Sequence, residues 1–485
     1  MSAEKYNLQN KVVNAAKWSF ITEIAAKIVS PITTMVLARI LVPEAFGVVA
    51  TVTMLISFAD MFTDAGFQKY LVQREFKDED EKFKNTNVAF WTNFFISLIL
   101  WGISAIFSKS IATLVGNQGL ANVIVIACIQ LPLTSFSSIQ MALYRRDFDF
   151  KTLFLVRVVA IFIPFFITIP LALLGLSYWA LIIGTIFAQL SNTTILTIKS
   201  KWKPSLFYRL SILKEMLSFS IWSLIEAISI WLTMWVDAFI IGSALNGYYL
   251  GLYKTSTAMV SSLMALVTAS VMPILFSSLS RLQNDEAAFK AMLYKVQRLV
   301  AYLVFPLGVG LFLYRDVATR ILLGEQWIEA SDIIGVWALT SAIMIIFSNF
   351  NSEVYRSKGK PKLSFVAQIL HLSFLVPTCL ISLNYGFWAL VYARSLIRFQ
   401  GVIVGFIIMH FVMGFPVLKT LKNIIMPIIC ALIMFCVALL LKQISSSMLW
   451  SFASMAICVL VYAVTMFAFA ANDIKSLRGI IKRDI

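Results

Sequence analysis

Long apolar stretches alternate with short polar connectors from one end of the chain to the other. Each stretch runs to about 20 residues, the length a helix needs to cross the hydrocarbon of a bilayer. About fourteen can be read, centred near Val29, Met54, Ser97, Leu131, Pro164, Phe187, Ser229, Leu263, Phe305, Ile343, Ser373, Gly401, Ala431 and Leu460. They are too long for barrel strands, and the alternating ten-residue pattern of an outer-membrane barrel is missing. The pattern predicts an all-α polytopic membrane protein with about 14 transmembrane helices. Outer connectors such as "LLGLSYWAL" and "SLNYGFWAL" barely turn the corner, and the longest, residues 314–331, shows no fold of its own. Chemistry is therefore expected within the membrane.

Composition agrees: 60% of the 485 residues are hydrophobic and 13% charged, against about 25% charged in soluble domains. The first residues, "MSAEKYNLQNKVVNAAKW", lack an apolar signal core, so the first span is expected to act as its own insertion signal. The net charge of +16 would suggest nucleic acid in a soluble chain; here the enrichment of Lys and Arg in cytoplasmic loops explains it, and no nucleic-acid partner is expected. With the N-terminus inside, alternate loops carry Lys69 to Lys84, Arg145 to Lys151, Lys199 to Lys214, Arg281 to Arg298, Arg356 to Lys362, and Lys419 with Lys422. The tail adds Lys475, Arg478, Lys482 and Arg483, while the opposite loops offer only Arg39, Lys109, Arg315, Arg320 and Lys442. This asymmetry predicts cytoplasmic N- and C-termini.

Internal similarity organises the spans. "YRRDFDFKTLF" from Tyr144 and "YRSKGKPKLSF" from Tyr355 each precede a span, a tight outer turn and Trp-Ala-Leu, at 179–181 and 388–390. The tripeptide at 337–339 sits in a different setting. "SFITEI" around Glu23 matches "SIWSLIEAI" around Glu226, and "AFGVVATVTM" weakly matches "YLGLYKTSTAM". These offsets lie between 203 and 211 residues. Spans one to six thus repeat as spans seven to twelve, in parallel because six is even. The expected division is residues 1–210, a six-helix bundle; 211–415, its repeat; and 416–485, two extra helices and a basic tail. Repeats of this kind build secondary transporters with the substrate site at the repeat interface.

Charges inside spans are costly, about 2.5–3.5 kcal/mol each on insertion scales, and so face a cavity or a partner. Glu23, Lys27, Asp60, Asp64 and Arg157 stand in the first half; Glu226, Asp237, Lys254, Arg394 and Arg398 in the second. Asp64, Arg157 and Lys254 are near span ends, where snorkelling suffices. Glu23 and Lys27, four apart on one helix face, either neutralise each other or serve a passage. Glu226 has no base on its own helix, so it must meet another helix, face the lumen or hold a proton. Arg398 lies about eleven residues past the outer turn, near mid-depth, and keeps its charge at any working pH. Arg394 is four residues away on the same face. With Lys27 they are the candidate lining of a cationic cavity for a phosphate or acidic sugar. Glu23, Asp60 and Glu226 are the candidates for coupling to a proton or sodium gradient.

Other chemistry is scarce. Cys128, Cys379, Cys430, Cys436 and Cys458 all sit in apolar runs without metal-ligand spacing, and read as small core residues. His371 and His410 are the only histidines. Prolines recur inside spans, among them Pro31, Pro164, Pro273, Pro306 and Pro377, and are expected to bend them. There is no P-loop, metal spacing or catalytic triad, so neither catalytic residues nor a resident cofactor or metal are expected.

Residues 38–75, "ARILVPEAFGVVATVTMLISFADMFTDAGFQKYLVQRE", resemble the opening motif of bacterial polysaccharide exporters of the Wzx type. The shared pattern is an arginine, a Leu-x-Pro-x-x-Phe-Gly turn, a span, Asp-x-Gly and a Val-Gln-Arg end. "ALYRRDFDFKTL" and "LLGLSYWAL" are similar to the colanic-acid-exporter branch of that family. The resemblance covers spans one to six well and the second half more loosely. It implies a fold of the multidrug/oligosaccharidyl-lipid/polysaccharide superfamily, two six-helix bundles around a central cavity. It also implies flipping of undecaprenyl-diphosphate-linked oligosaccharide across the bacterial inner membrane by alternating access, beside other polysaccharide-assembly proteins and membrane lipids. The motifs themselves assign no role to Arg398, Arg394 or Lys27. A drug/cation antiporter of the same fold, which would want an acidic cavity, and a membrane-embedded glycan polymerase, which would want a larger outer loop, are the competing readings.

Overall fold

The computed structural model describes the backbone of residues 3–64 and 66–481, and their side chains apart from 3–13, 16, 64, 218–223, 270 and 470–481. The Asp64 side chain and the tail cations Lys475, Arg478, Lys482 and Arg483 lie outside that description. Regular structure among the described residues is entirely helical, and 14 helical segments are long and apolar enough to cross a membrane. Each contains one of the predicted centres. The protein is a multi-pass α-helical membrane protein.

The chain divides into two compact units, Met1–Thr255 and Ser256–Ile485. In the first, α1 (Ala3–Ile40) packs on α6 (Phe150–Ile163), and α4 (Glu79–Ile106) on α5 (Gln130–Arg146). Helix α7 (Tyr178–Lys199) lies against both α5 and α6. Helix α8 (Leu210–Ala244) packs on α2 (Pro43–Asp64), and the short α3 (Phe67–Gln73) on α5. Helix α9 (Gly247–Arg281) begins in this unit. The expected division, drawn from the sequence repeat, is at 210/211. Packing divides the chain at 255/256, and α8 packs on α2, α3 and α4.

In the second unit, α10 (Glu286–Leu313) packs on α12 (Ser331–Met344), and α13 (Lys362–Leu383) on α14 (Phe387–Leu396). Helix α15 (Arg398–Phe411) continues α14 after a break at Ile397. The last helices, α16 (Ile425–Lys442) and α17 (Met448–Ile481), pack on each other, and α16 on α10. The Tyr462 hydroxyl donates to the Tyr302 carbonyl at 2.7 Å, and Lys442 Nζ to the Leu313 carbonyl at 2.8 Å. These bonds tie both extra helices to α10.

Local sequence sets the helix starts. Asp78, Asp149 and Asp285 each accept a backbone N–H three residues on and so cap α4, α6 and α10. Glu79, Asp80 and Glu81 add negative charge at the positive end of the α4 dipole. Two spans contain a widened π-turn, Pro164–Thr168 and Ile345–Asn349. Proline supplies no N–H, and its ring disrupts the α-helical ladder at the first of these. Large apolar side chains such as Phe166, Leu173, Leu174 and Phe411 point outward, as a lipid-facing surface requires.

Two sequence expectations change. Residues 314–331 do fold: α11 (Arg315–Leu322) is followed by a 3₁₀ segment, Glu325–Ala330, with Trp327 fully buried. Arg315 pairs with Asp332 at 2.9 Å and Arg320 with Glu325 at 3.2 Å, so the segment is closed by its own charges. Eight residues are too few for a helical period to show in the sequence. Cys436 is exposed, unlike the four buried cysteines, because it lies on an outward face of α16.

The closest backbone approach in the first unit joins α2 to the start of α9. A Cβ added at Gly47 would overlap the Gly247 carbonyl oxygen, and one added at Gly251 would overlap the Pro43 carbonyl oxygen. Pro43 and Gly247 are 204 positions apart, as are Gly47 and Gly251. The contact is therefore symmetric under exchange of the two repeats. Such close crossing is what small residues permit between membrane helices. Gly47→Ala and Gly251→Ala are each expected to lower stability by about 1–3 kcal/mol, the usual cost of overpacking. Thermal unfolding of the purified protein in detergent measures this; Gly102→Ala, with open space around it, is the control.

Candidate functional site

The second unit gathers the predicted arginines on one indole. Arg394, on α14, is buried, and its Cζ lies 5.4 Å from the Trp337 ring centroid. Arg398, the first residue of α15, places its Cζ 4.2 Å from the same ring. Its Nη1 donates to Thr340 Oγ1 and to Ser341 Oγ, both at 3.0 Å. All three partners stand on α12. The four-residue spacing turns both guanidiniums to α12, and the break at Ile397 lies between them. Nearby, His371 Nδ1 on α13 is 3.0 Å from Gln400 Oε1. The π-turn at Ile345–Asn349 follows directly on α12; such turns recur at functional sites.

An indole face attracts a guanidinium by about 0.5–2 kcal/mol, more as water is removed. Hydroxyls supply neutral acceptors. Two guanidiniums side by side can meet a diphosphate with paired N–H donors.

The first unit assembles a second polar cluster. A cavity of about 370 Å³ is lined by Ser57, Asp60, Thr63, Lys69, Thr134 and Ser138, among others. Lys69 Nζ lies 3.3 Å from Glu226 Oε2. Glu226 is thus paired with Lys69, which lines the same cavity as Asp60. Trp231 Nε1 donates to Ser57 Oγ at 3.0 Å and fixes α8 on α2 beside the cavity. Glu23 is exposed and Lys27 half-buried on α1; neither lines this cavity. Among the described residues no ion pair joins Glu23 to Lys27.

Two contributors, Trp337 and Lys69, escaped the sequence reading; Asp237, named there as a charge inside a span, proves buried. Trp337 belongs to the Trp-Ala-Leu copy that stands outside the repeat, and it is the residue both arginines meet. Lys69 counted only as a loop cation. Asp237 is buried, taking a 2.8 Å bond from the Tyr253 hydroxyl and one of 2.7 Å from the Ala238 amide. Lys254, expected to snorkel, sits over the Trp235 ring at 4.0 Å and donates to the Met234 carbonyl at 3.2 Å. A cation spaced for an aromatic partner on another helix leaves no mark in a single sequence.

Comparison with known proteins adds the following. A family profile described as "Polysaccharide biosynthesis protein" matches residues 36–332. The lipopolysaccharide biosynthesis protein WzxC of Escherichia coli (strain K12) is 23% identical, over 85% of this chain and 82% of its own length. The succinoglycan biosynthesis transport protein ExoT of Rhizobium meliloti (strain 1021) is 25% identical, over 69% and 67%. Among solved structures, the lipid II flippase MurJ in an inward closed conformation aligns with a TM-score of 0.76 at 17% identity, covering 95% of this chain and all of that one (100%). An inward-facing multidrug resistance MATE family transporter of the MOP superfamily aligns with a TM-score of 0.60 at 13% identity, over 80% and 96%. These likenesses establish a shared fold.

Replacing the indole tests the arginine cluster. Trp337→Ala is expected to cost about 3–5 kcal/mol, the range for large aromatic deletions in a core. Trp337→Phe keeps a ring under both guanidiniums and should cost clearly less. Thermal melts of the three proteins in one detergent report the order.

Proposed function

The chain belongs to the polysaccharide biosynthesis protein family, and from that premise we propose that it is a flippase for lipid-linked oligosaccharide in the bacterial inner membrane. The single observation that carries this reading is the pair of guanidiniums, Arg394 and Arg398, held on Trp337 inside a membrane-spanning unit. A cation at that depth is costly and so faces a cavity or a partner. An undecaprenyl diphosphate headgroup, with or without acidic sugars, has that charge, and arginine matches its oxygens in pairs. Lys27 is a further cation for the same ligand. The names of similar proteins, which refer to succinoglycan transport and lipopolysaccharide biosynthesis, support a glycan cargo.

The proposed cycle is alternating access, carrying the headgroup from the cytoplasmic to the outer face, with both termini cytoplasmic as the Lys and Arg asymmetry requires. Other polysaccharide-assembly proteins would supply and consume the cargo. Glu23, Asp60 and Glu226 are the proposed coupling carboxylates. Lys69 pairs with Glu226 and lines the same cavity as Asp60: protonating Glu226, or binding sodium there, releases Lys69. Asp60 in a polar cavity also favours a second reading, a cation antiporter of the same fold; a glycan-export assay separates the two.

Complementation of a strain lacking its own flippase tests the main reading. Arg398→Ala should abolish export while Arg398→Lys restores part of it; unimpaired export by Arg398→Ala would remove the arginine from the mechanism. In flux assays on reconstituted protein, Glu226→Gln should flatten the dependence on an imposed proton or sodium gradient, and an unchanged dependence would retire that coupling role.

A further inference from the structure

One cavity of the first unit has no place in the reading above. It holds about 680 Å³ and lies at the basic ends of α4, α5, α6 and α7, the face the charge asymmetry assigns to the cytoplasm. Lys82, Tyr144, Asp147, Lys199, Lys201 and Trp202 are among its lining residues. That volume falls in the range of ligand pockets, about 300–1,000 Å³.

Its acceptors are already engaged. Lys82 pairs with Glu79 at 3.4 Å and with Asp147 at 3.7 Å. Asp149 caps α6, accepting from the Thr152 amide at 3.1 Å and its hydroxyl at 2.7 Å. Lys82 is thereby engaged as well, but four other donors are not. The Tyr144 hydroxyl and the Trp202 Nε1 are buried without a hydrogen-bond partner among the described residues. Lys199 and Lys201 form no ion pair among the described residues. An indole N–H can only donate, an ammonium can only donate, and a buried donor left without an acceptor is unfavourable.

The repeat supplies an internal control. Tyr355 is the counterpart of Tyr144 in the second half, and its hydroxyl donates to the Gly405 carbonyl at 3.3 Å. One copy of the duplicated tyrosine is satisfied by its own bundle. The other stands beside a cavity rich in free donors.

We propose that this cavity is a binding site for a phosphate ester of a membrane lipid, with the Tyr144 hydroxyl, the Trp202 indole N–H and the Lys199 and Lys201 ammoniums donating to its oxygens. Two lipids carry that chemistry at this face: an anionic phospholipid, and the diphosphate carrier of the proposed function. Only the second source rests on the flippase reading.

Native mass spectrometry of the full-length, delipidated protein in detergent tests the site. The probes are phosphatidylglycerol, undecaprenyl diphosphate and, as the phosphate-free reference, diacylglycerol. The parent protein should retain at least one phosphate-bearing lipid well above diacylglycerol. Tyr144→Phe should weaken that retention about tenfold, the loss of one hydrogen bond to a charged group, and Lys199→Ala with Lys201→Ala should weaken it further. Preference for phosphatidylglycerol identifies a phospholipid site, and preference for undecaprenyl diphosphate a docking site for cargo; both uphold the cavity. Melting without lipid gives a readout that a purely structural tyrosine would not: Tyr144→Phe should leave the midpoint unchanged or raise it, whereas Tyr355→Phe lowers it. Retention no better than diacylglycerol overturns the proposal. So does carrier binding lost in Arg398→Ala but kept in Tyr144→Phe, or a Tyr144→Phe midpoint that falls like that of Tyr355→Phe. A chain that exported no glycan would remove the cargo arm alone; phosphatidylglycerol retention and the melts would still decide the site.

Discussion

Backbone meeting backbone at Gly47 and Gly251 is the constraint on which the first unit is built. The glycines let α2 and the start of α9 approach until each helix touches a carbonyl of the other. No side chain larger than hydrogen fits there without moving a backbone, so the crossing point is fixed by what is absent. The motif around it acquires a physical meaning. In Leu-x-Pro-x-x-Phe-Gly, Pro43 begins α2 and offers the carbonyl that Gly251 meets, and Gly47 is the matching gap. The Val-Gln-Arg end is structural as well. Arg74 pairs with Glu81 at 2.8 Å and with Glu215, linking the end of α3 to α4 and α8. Arg146, from the Tyr-Arg-Arg-Asp-Phe stretch, donates to the Leu71 carbonyl at 2.8 Å and the Arg74 carbonyl at 2.5 Å, closing the last turn of α3.

Charge within this scaffold is handled in two ways. In the second unit the arginines rest on an aromatic face and two hydroxyls, which lower the cost of burial. In the first unit Lys69 and Glu226 form an ion pair that is about half exposed on each side, 54% and 55%, so its net strength is small and its partners are exchangeable. A holding site for an anion wants the first arrangement. A site that must gain and lose a proton or a metal cation wants the second.

The sequence carried the span count and the four-residue spacing that turns both arginines of the second unit to one helix, because each is written in local composition or fixed spacing. Every predicted centre falls inside a membrane-length helix. Long apolar runs have one stable arrangement in lipid, since their backbone bonds must close within the helix. What it concealed depends on contacts between helices. Trp337 lies 57 and 61 positions before the two arginines, as the numbering shows, and only the packing of α12 against α14 and α15 brings them together. The sequence leaves Glu226 to meet another helix, face the lumen or hold a proton, and nothing in it chooses Lys69 from the many lysines of the connectors. The fold of residues 314–331 stayed hidden because it is held by ion pairs and one buried tryptophan over very short helices.

The symmetry of the glycine contact has a consequence of its own. Pro43 and Gly47 meet Gly247 and Gly251 as each would meet a copy of itself. An interface that is self-complementary needs only one kind of surface. The short segment from Pro43 to Gly47 would therefore suffice to seat a second copy of itself at this crossing.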